Sequence, residues 1–331
     1  MLLRADHPEY PLSPSAVWGR EAPLVVEIGF GDGRFTAALA EERPDWNLLA
    51  IDISAGSLSR AIGRLVAGRV TNVRLFHGPA EFALRQLVPP SSLTRIYVNF
   101  PDPWPKARHE ENRLLRAEFL TRVATRLAPG GALWLTTDHD EYWQFALGEA
   151  RTTGLYSIDE REPPAALLAT KYALKWKFTG RTFHHVVFTK TAEAREPWPV
   201  LPRPPMPHAL MEGELPELAR FDKQVLKIEG GSVVLLEALR RIEDGGYVFL
   251  AHVEEHGIVQ QVLLEARPTP RGLHVGLANF AAPIATDGVQ AAVGWLVGWF
   301  EARGLRTVQR WYRDVAAHEL GAGGRRDEPA S

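Results

Sequence analysis

Between residues 24 and 150, short apolar runs of strand length alternate with stretches whose apolar residues recur at helical spacing. Leu24–Ile28, Leu48–Ile51, Val73–Phe76, Ile96–Phe100 and Ala132–Thr137 read as strands. Phe35–Glu42, Ser57–Val66, Glu81–Leu87, Leu114–Leu127 and Glu141–Ala150 read as helices, with Pro129-Gly130-Gly131 as the stop of Leu114–Leu127. Phe183–Thr189 adds a further strand. Strands that are apolar throughout are buried on both faces, and this alternation with helices predicts an α/β fold, a parallel sheet covered on both sides. Ligands of such sheets lie at the carboxyl ends of the strands. The polar residues Glu27, Asp52, Asn99, Asp102 and Asp138 all fall at those ends.

The alternation stops at Glu196. Pro197, Pro199, Pro202, Pro204, Pro205 and Pro207 follow within a few residues. Proline fixes φ and lacks the backbone donor, so this segment is neither helix nor interior strand. It reads as a stiff linker, 196–216, between a first domain, 1–195, and a second, 217–320. In the second, Gln224–Glu229, Ser232–Arg240, Gly246–Glu255, Ile258–Arg267 and Gly272–Phe280 are strand-like and joined by glycine-rich turns, which predicts an antiparallel meander. Val289–Arg303, with Trp295, Trp299 and Phe300, reads as an amphipathic helix. The second domain is thus α+β and carries no recognisable chemistry. Residues 321–331 read as a disordered tail.

The chain has 331 residues and no cysteine, which excludes disulfides, thiolate metal sites and cysteine nucleophiles together. No apolar run reaches the roughly 18 residues of a membrane helix, and the first residues lack the apolar stretch of a secretory signal. The expected location is therefore cytoplasmic, with no membrane partner. Residues 1–195 hold 24 Lys+Arg against 22 Asp+Glu, and the remainder 14 against 18. Neither half is basic enough to bind nucleic acid by bulk charge, so any such site rests on a local patch. No feature of the sequence sets an oligomeric state.

Glu27-Ile28-Gly29-Phe30-Gly31-Asp32-Gly33 ends the first strand and opens the first helix. Glycines there let the backbone turn tightly and approach a ligand. The pattern lacks the final spacing of the dinucleotide G-x-G-x-x-G. Glu27 would repel a pyrophosphate but suits a ligand with ammonium and sulfonium groups, and Asp52 at the second strand end suits ribose hydroxyls. S-adenosyl-L-methionine has all these groups. A nicotinamide oxidoreductase and a ligand-free glycine turn stay open at this point.

Asn99-Phe100-Pro101-Asp102-Pro103-Trp104-Pro105-Lys106-Ala107-Arg108-His109 follows the fourth strand. Prolines on both sides of Asp102 stiffen the loop that presents its carboxylate; the alternative is an aspartate that merely caps its turn. The arrangement is similar to the signature by which amino-methyltransferases of nucleic acids present a target nitrogen.

Residues 24–190 resemble the bacterial tRNA (guanine-N7-)-methyltransferases. The resemblance is carried by Glu-Ile-Gly-Phe-Gly-x-Gly, by the Asn99–His109 run, by Thr137-Asp138 with Tyr142, and by Thr170-Lys171-Tyr172. It implies a Rossmann-like class I S-adenosylmethionine-dependent methyltransferase, with tRNA as partner and the variable-loop guanine at position 46 as target. Glu27, Gly29, Gly31, Asp52, Ala80 and Asn99 become cofactor contacts. Asp102 becomes the catalytic residue, and Lys106, His109, Arg113, Asp138 and Thr170 the substrate contacts. Trp104 reads as a packing anchor rather than a stacking platform. A methyltransferase acting on another substrate is the alternative.

Three departures stand out. Acidic Glu110-Glu111-Asn112 follows His109, where the family has basic residues; Ala173 replaces a usual Glu; and the third strand ends in Gly78-Pro79-Ala80 without an acid or amide. The C-terminal extension resembles the long form of some heat-adapted members. Guanine N7 already carries an in-plane lone pair, so the chemistry needs positioning and charge stabilisation, with neither a base nor a metal. Candidate phosphate contacts are Lys106, Arg108, Arg113 and Arg116, and a second cluster at Lys171, Lys175, Lys177 and Arg181, which would otherwise be a solvated helix face.

Overall fold

The computed structural model describes residues 1–3, 11–164, 167, 183–200, 206–255, 258–280 and 283–319. Thr170, Ala173, the Lys171–Arg181 cluster and the 321–331 tail lie outside them. The chain divides into two units, Met1–Leu201 and Pro202–Ser331, and the division falls within the proline-rich segment.

The first unit runs β1 (Leu2–Leu3), α1 (Pro14–Trp18), β2 (Leu24–Ile28), α2 (Arg34–Glu42), β3 (Asn47–Asp52), α3 (Ala55–Ala67), β4 (Val73–His77), α4 (Ala80–Phe82), β5 (Leu93–Asn99), α5 (Ala117–Ala124), β6 (Leu127–Thr137), α6 (Asp140–Thr153), β7 (Tyr156–Glu160) and β8 (His184–Lys190). The sheet order is β1-β4-β3-β2-β5-β6-β8-β7. Pairing is parallel from β1 through β6, and β8 is antiparallel to both neighbours. From β2 the chain winds outward through β3 and β4, then returns to the other side of β2 at β5. The crevice at that reversal, outside the carboxyl ends of β2 and β5, is where such sheets take ligands.

All five residues of β2 are buried, as a strand covered on both faces requires. Successive residues serve opposite layers. Val26 and Ile28 pack with Leu49, Ile96, Leu120 and Ala146, whereas Val25 packs with Phe35, Leu39, Ala61 and Leu65.

Two expected boundaries are corrected. The helix placed at Leu114–Leu127 is only Ala117–Ala124, and Pro129-Gly130-Gly131 is not its stop. These residues bulge within β6, whose pairing with β5 jumps from Leu93↔Leu127 to Arg95↔Ala132. A Cβ at Gly131 would lie 2.5 Å from the Leu93 carbonyl oxygen, so only glycine fits. The helix at Glu81–Leu87 is one turn, α4, continued by a π-helical turn, Ala83–Leu87. Fully buried Arg126 donates to the carbonyls of Leu84 (2.8 Å) and Arg85 (3.1 Å) in that turn.

The second unit runs β9 (His208–Glu212), β10 (Gln224–Ile228), β11 (Gly231–Arg240), β12 (Tyr247–Glu255), β13 (Ile258–Thr269), β14 (Gly272–Leu277), α7 (Asp287–Glu301), β15 (Arg306–Trp311) and β16 (His318–Glu319). Its sheet order is β15-β9-β14-β13-β12-β11-β10-β16, with β10 to β14 a meander. The core is inward residues of the sheet (Val233, Phe249, Val262, Val275) packed against Val289, Val293, Leu296 and Phe300 of α7. His208–Glu212, assigned by sequence to the linker, is a strand here. The prolines precede it, and its ladder to β14 and β15 closes the sheet's other half.

Candidate active site

The glycine loop after β2 is built from left-handed backbone. Gly29, Gly31 and Gly33 have φ of 81°, 55° and 76°, a region L side chains rarely adopt. At Gly29 and Gly31 a Cβ would meet nothing within 4 Å, which leaves the ligand side of the loop open. At Gly33 it would lie 2.9 Å from Ala61 of α3, so this glycine serves helix packing. Asp32 pairs with Arg34 (3.1 Å) and Arg64 (3.7 Å) and holds the loop from outside.

Glu27 is buried, and its carboxyl accepts from Thr36 Oγ1 at 2.5 Å. Burial pushes its pKa up to about 8, further raised by the nearby Asp52 and Asp32 charges and only partly opposed by the Thr36 hydrogen bond. A cationic group entering the crevice would relieve that penalty. Asp52 ends β3. Its Oδ2 accepts from Gly31 N, and its Oδ1 from Ser54 N, both at 2.8 Å. Ile53, beside it, is 75% exposed, and its carbonyl meets His77 Nε2 at 3.1 Å. An apolar side chain held open next to the ribose-type acid suits the flat face of a nucleobase. Sequence reasoning missed Ile53, and its signal was an apolar residue directly after a strand-end carboxylate. Ala80 opens α4 at the end of β4.

Asn99 closes β5. Its Oδ1 and Nδ2 are buried and have no hydrogen-bond partner among the described residues. Buried amides are nearly always hydrogen-bonded, and an amide without a described partner at the carboxyl edge of a central strand can take its pairing from a ligand. The loop beyond it is strained. Phe100 and Trp104 have φ of 52° and 43° without being glycine. Such residues cost on the order of 1–3 kcal/mol each and persist where the surroundings over-determine them. The restraints are visible. Phe100 N donates to Thr136 O at 2.7 Å, and its ring meets Phe183 edge-on at 6.1 Å. Between the two strained residues, Asp102 stands exposed.

Arg113 holds the loop from beneath. It is 8% exposed and donates to the carbonyls of Pro103 (3.0 Å) and Trp104 (3.4 Å) and to Glu110 Oε1 (3.3 Å), while its guanidinium lies over Phe145. A buried guanidinium occupied in this way anchors the loop, and a phosphate cannot reach it as it could a surface arginine. Lys106 is exposed at the start of a 3₁₀ turn, Ala107–Asn112, and His109 within that turn has its ring perpendicular to Trp104 at 5.8 Å.

Asp138 follows β6 at the same edge. Next to it His139 caps α6, its Nδ1 accepting from Tyr142 N at 3.3 Å. Because β8 is antiparallel, it brings its first residues to this edge, and His184 pairs with Thr137. His184 Nε2 meets Asp140 Oδ1 at 2.8 Å and stacks on Trp143 at 3.8 Å. His185 is buried with Nδ1 2.8 Å from Thr136 Oγ1, and burial lowers its pKa to about 4. Sequence reasoning singled out neither histidine. The edge therefore gathers Gly29, Gly31, Asp52, Ala80, Asn99, Asp102 and Asp138 from five strands.

The glycine loop and the Asn99–Asp102 segment lie within a match to a family described as "Putative methyltransferase", which spans residues 21–186. A tRNA (guanine-N(7)-)-methyltransferase of Thermus thermophilus is 51% identical over 300 residues, covering 91% of this chain and 96% of that protein. The chain belongs to the tRNA (guanine-N(7)-)-methyltransferase family. The relative from Deinococcus radiodurans is 41% identical over 94% of this chain and all of its own length. That from Nitrosomonas europaea is 34% identical but matches only 56% of this chain while covering 84% of itself. Family membership removes the nicotinamide reading of the glycine loop. It also separates the two units. At 300 and 324 residues, the Thermus and Deinococcus matches are too long to omit the second unit, and the Nitrosomonas match, at 187 residues, is too long to fit within the second unit alone.

Proposed function

We propose that this chain transfers a methyl group from S-adenosyl-L-methionine to N7 of the variable-loop guanine, position 46, of tRNA, and that it does so in the cytoplasm. No helix among the described residues is long and apolar enough to cross a membrane. The observation that carries the reading is the orphaned amide of Asn99, one strand from the open glycine loop and three residues from exposed Asp102. It supports cofactor and substrate meeting at one point of the sheet edge.

The residues fit the cofactor. Glu27 would face its ammonium, Asp52 its ribose, Ile53 and Ala80 its adenine, and Asn99 a polar atom near the reacting end. When bound, S-adenosyl-L-methionine supplies a methyl carbon that N7 attacks with its in-plane lone pair, the C–S bond breaking with its electrons kept on sulfur. No proton leaves N7, and the purine takes the positive charge. The Asp102 carboxylate would favour that charge, and Asp138 would accept from guanine N1–H and N2–H₂. The strained, proline-flanked loop holds Asp102 before substrate arrives, so little reorganisation is left to the reaction. Drawing a guanine out of the folded tRNA costs a few kcal/mol, and contacts such as Lys106 to phosphate offset it.

The test is a cleavage map. Unmodified tRNA incubated with the chain and cofactor, then treated with borohydride and aniline, should break at the variable-loop guanine alone. Methyl incorporation elsewhere, or none, would overturn the reading.

A further inference from the structure

Trp104 does not behave as the packing anchor its sequence context suggests. Its side chain is 37% exposed and belongs to neither buried cluster of the first unit. Among the described residues its one ring contact is the perpendicular His109. Yet its backbone is held hard. Pro103 and Pro105 flank it, its φ is 43°, and buried Arg113 grips its carbonyl and the one before it. A solvated loop has no reason to be strained at a tryptophan, and Trp104 joins neither apolar cluster of the first unit. A rigid mount for a partly exposed aromatic ring is what stacking on a planar ligand requires, because the ordering cost is met before the ligand arrives.

We infer that the indole of Trp104 is the stacking face for the target guanine, and that its π-electrons favour the positive charge the purine acquires. The inference rests on the proposed guanine-N7 methylation. The face of an indole ring is electronegative and attracts a cation more strongly than the phenyl ring of Phe does. Neutral guanine gains ordinary stacking, whereas the charged purine of the transition state and product gains more. Trp104 would therefore act on the chemical step as well as on substrate binding. It would do so beside Asp102, two residues earlier in the same loop.

The experiment compares wild type with Trp104→Phe and Trp104→Leu. Single-turnover methylation at saturating tRNA should fall about 3-fold in Trp104→Phe and about 10- to 30-fold in Trp104→Leu. S-adenosylhomocysteine affinity and melting temperature, measured in parallel, should stay near wild type. A binding comparison needs no turnover. The wild-type chain should hold tRNA carrying 7-methylguanosine more tightly than unmodified tRNA, and Trp104→Leu should lose that preference. Equal rates for Phe and Leu, a Leu variant within two-fold of wild type, or an unchanged preference for methylated tRNA would each overturn the role. Failure of the function reading would show separately, as a wild-type chain that produces no cleavage at the variable loop.

Discussion

Asp52 Oδ2 accepts from the amide of Gly31 at 2.8 Å, so the acid at the end of β3 closes the glycine loop at the end of β2. Each carboxylate oxygen has a second acceptor position, which leaves room for ribose hydroxyls. Asp52→Ala removes both the loop closure and the ribose partner. Cofactor affinity should fall by about 1.5–3 kcal/mol, roughly 10- to 150-fold. Titration calorimetry with S-adenosylhomocysteine measures it, and an unchanged affinity would remove Asp52 from the ribose role.

Glu27 makes both stability and cofactor binding depend on pH. Its folded pKa, about 8, lies above the ordinary 4.5, so the folded chain holds a proton that the unfolded chain releases. Stability from this group is complete below about 4.5 and is lost as pH rises toward 8. Melting temperature without cofactor should decline across that window, and less steeply in Glu27→Gln. The ionised form is the one that pairs with an ammonium. Binding at pH 7 should therefore release a proton, visible as a calorimetric heat that varies with the buffer's ionisation enthalpy. Glu27→Gln should abolish that release.

Asp102→Asn keeps size and one acceptor but removes the charge. If the carboxylate favours the cationic purine, the single-turnover rate should fall about 10²- to 10³-fold with cofactor affinity little changed. Asparagine caps turns as well as aspartate does, so a turn-capping residue would tolerate the change. A variant within a few fold of wild type moves the role to Asp138.

The separability of the two units has a sharp boundary test. Arg126 donates to the carbonyl of Trp198 at 2.5 Å and stacks over its indole at 5.0 Å, so residues just past 195 belong to the first core. A fragment 1–201 should fold and bind cofactor. A fragment 1–195 leaves the fully buried Arg126 short of a partner and should be less stable by about 1–3 kcal/mol, read from denaturant midpoints. A 1–201 fragment that is unfolded would show that the two units share a core.

The α/β class of the first unit, and the set of strand ends that bear chemistry, were legible in the sequence. Both depend on local rules. Apolar runs and helical spacing set elements, and a parallel sheet puts every strand's carboxyl end on one edge. The Asn99–His109 run was legible for a similar reason, since its prolines act on the backbone they belong to. The features that escaped depend on distant partners. Pro129-Gly130-Gly131 looks like a helix stop, but the Leu93 carbonyl makes it a bulge in β6. Leu2–Leu3 form a strand through a ladder to Leu75 and Phe76. Arg113 and Trp104 are the clearest exchange of roles. Sequence makes the arginine a substrate contact and the tryptophan a packing anchor; in the fold the arginine is buried under the loop and the tryptophan is partly exposed. The three acceptors of Arg113 lie within ten residues of it, and the loop's fold over the arginine, with Phe145 against the guanidinium, is what turns it inward. The sequence by itself determined which residues stand at the sheet edge. Tertiary structure decided which of them are buried holding the loop and which are left exposed, because burial and hydrogen-bond partners are properties of the packed chain.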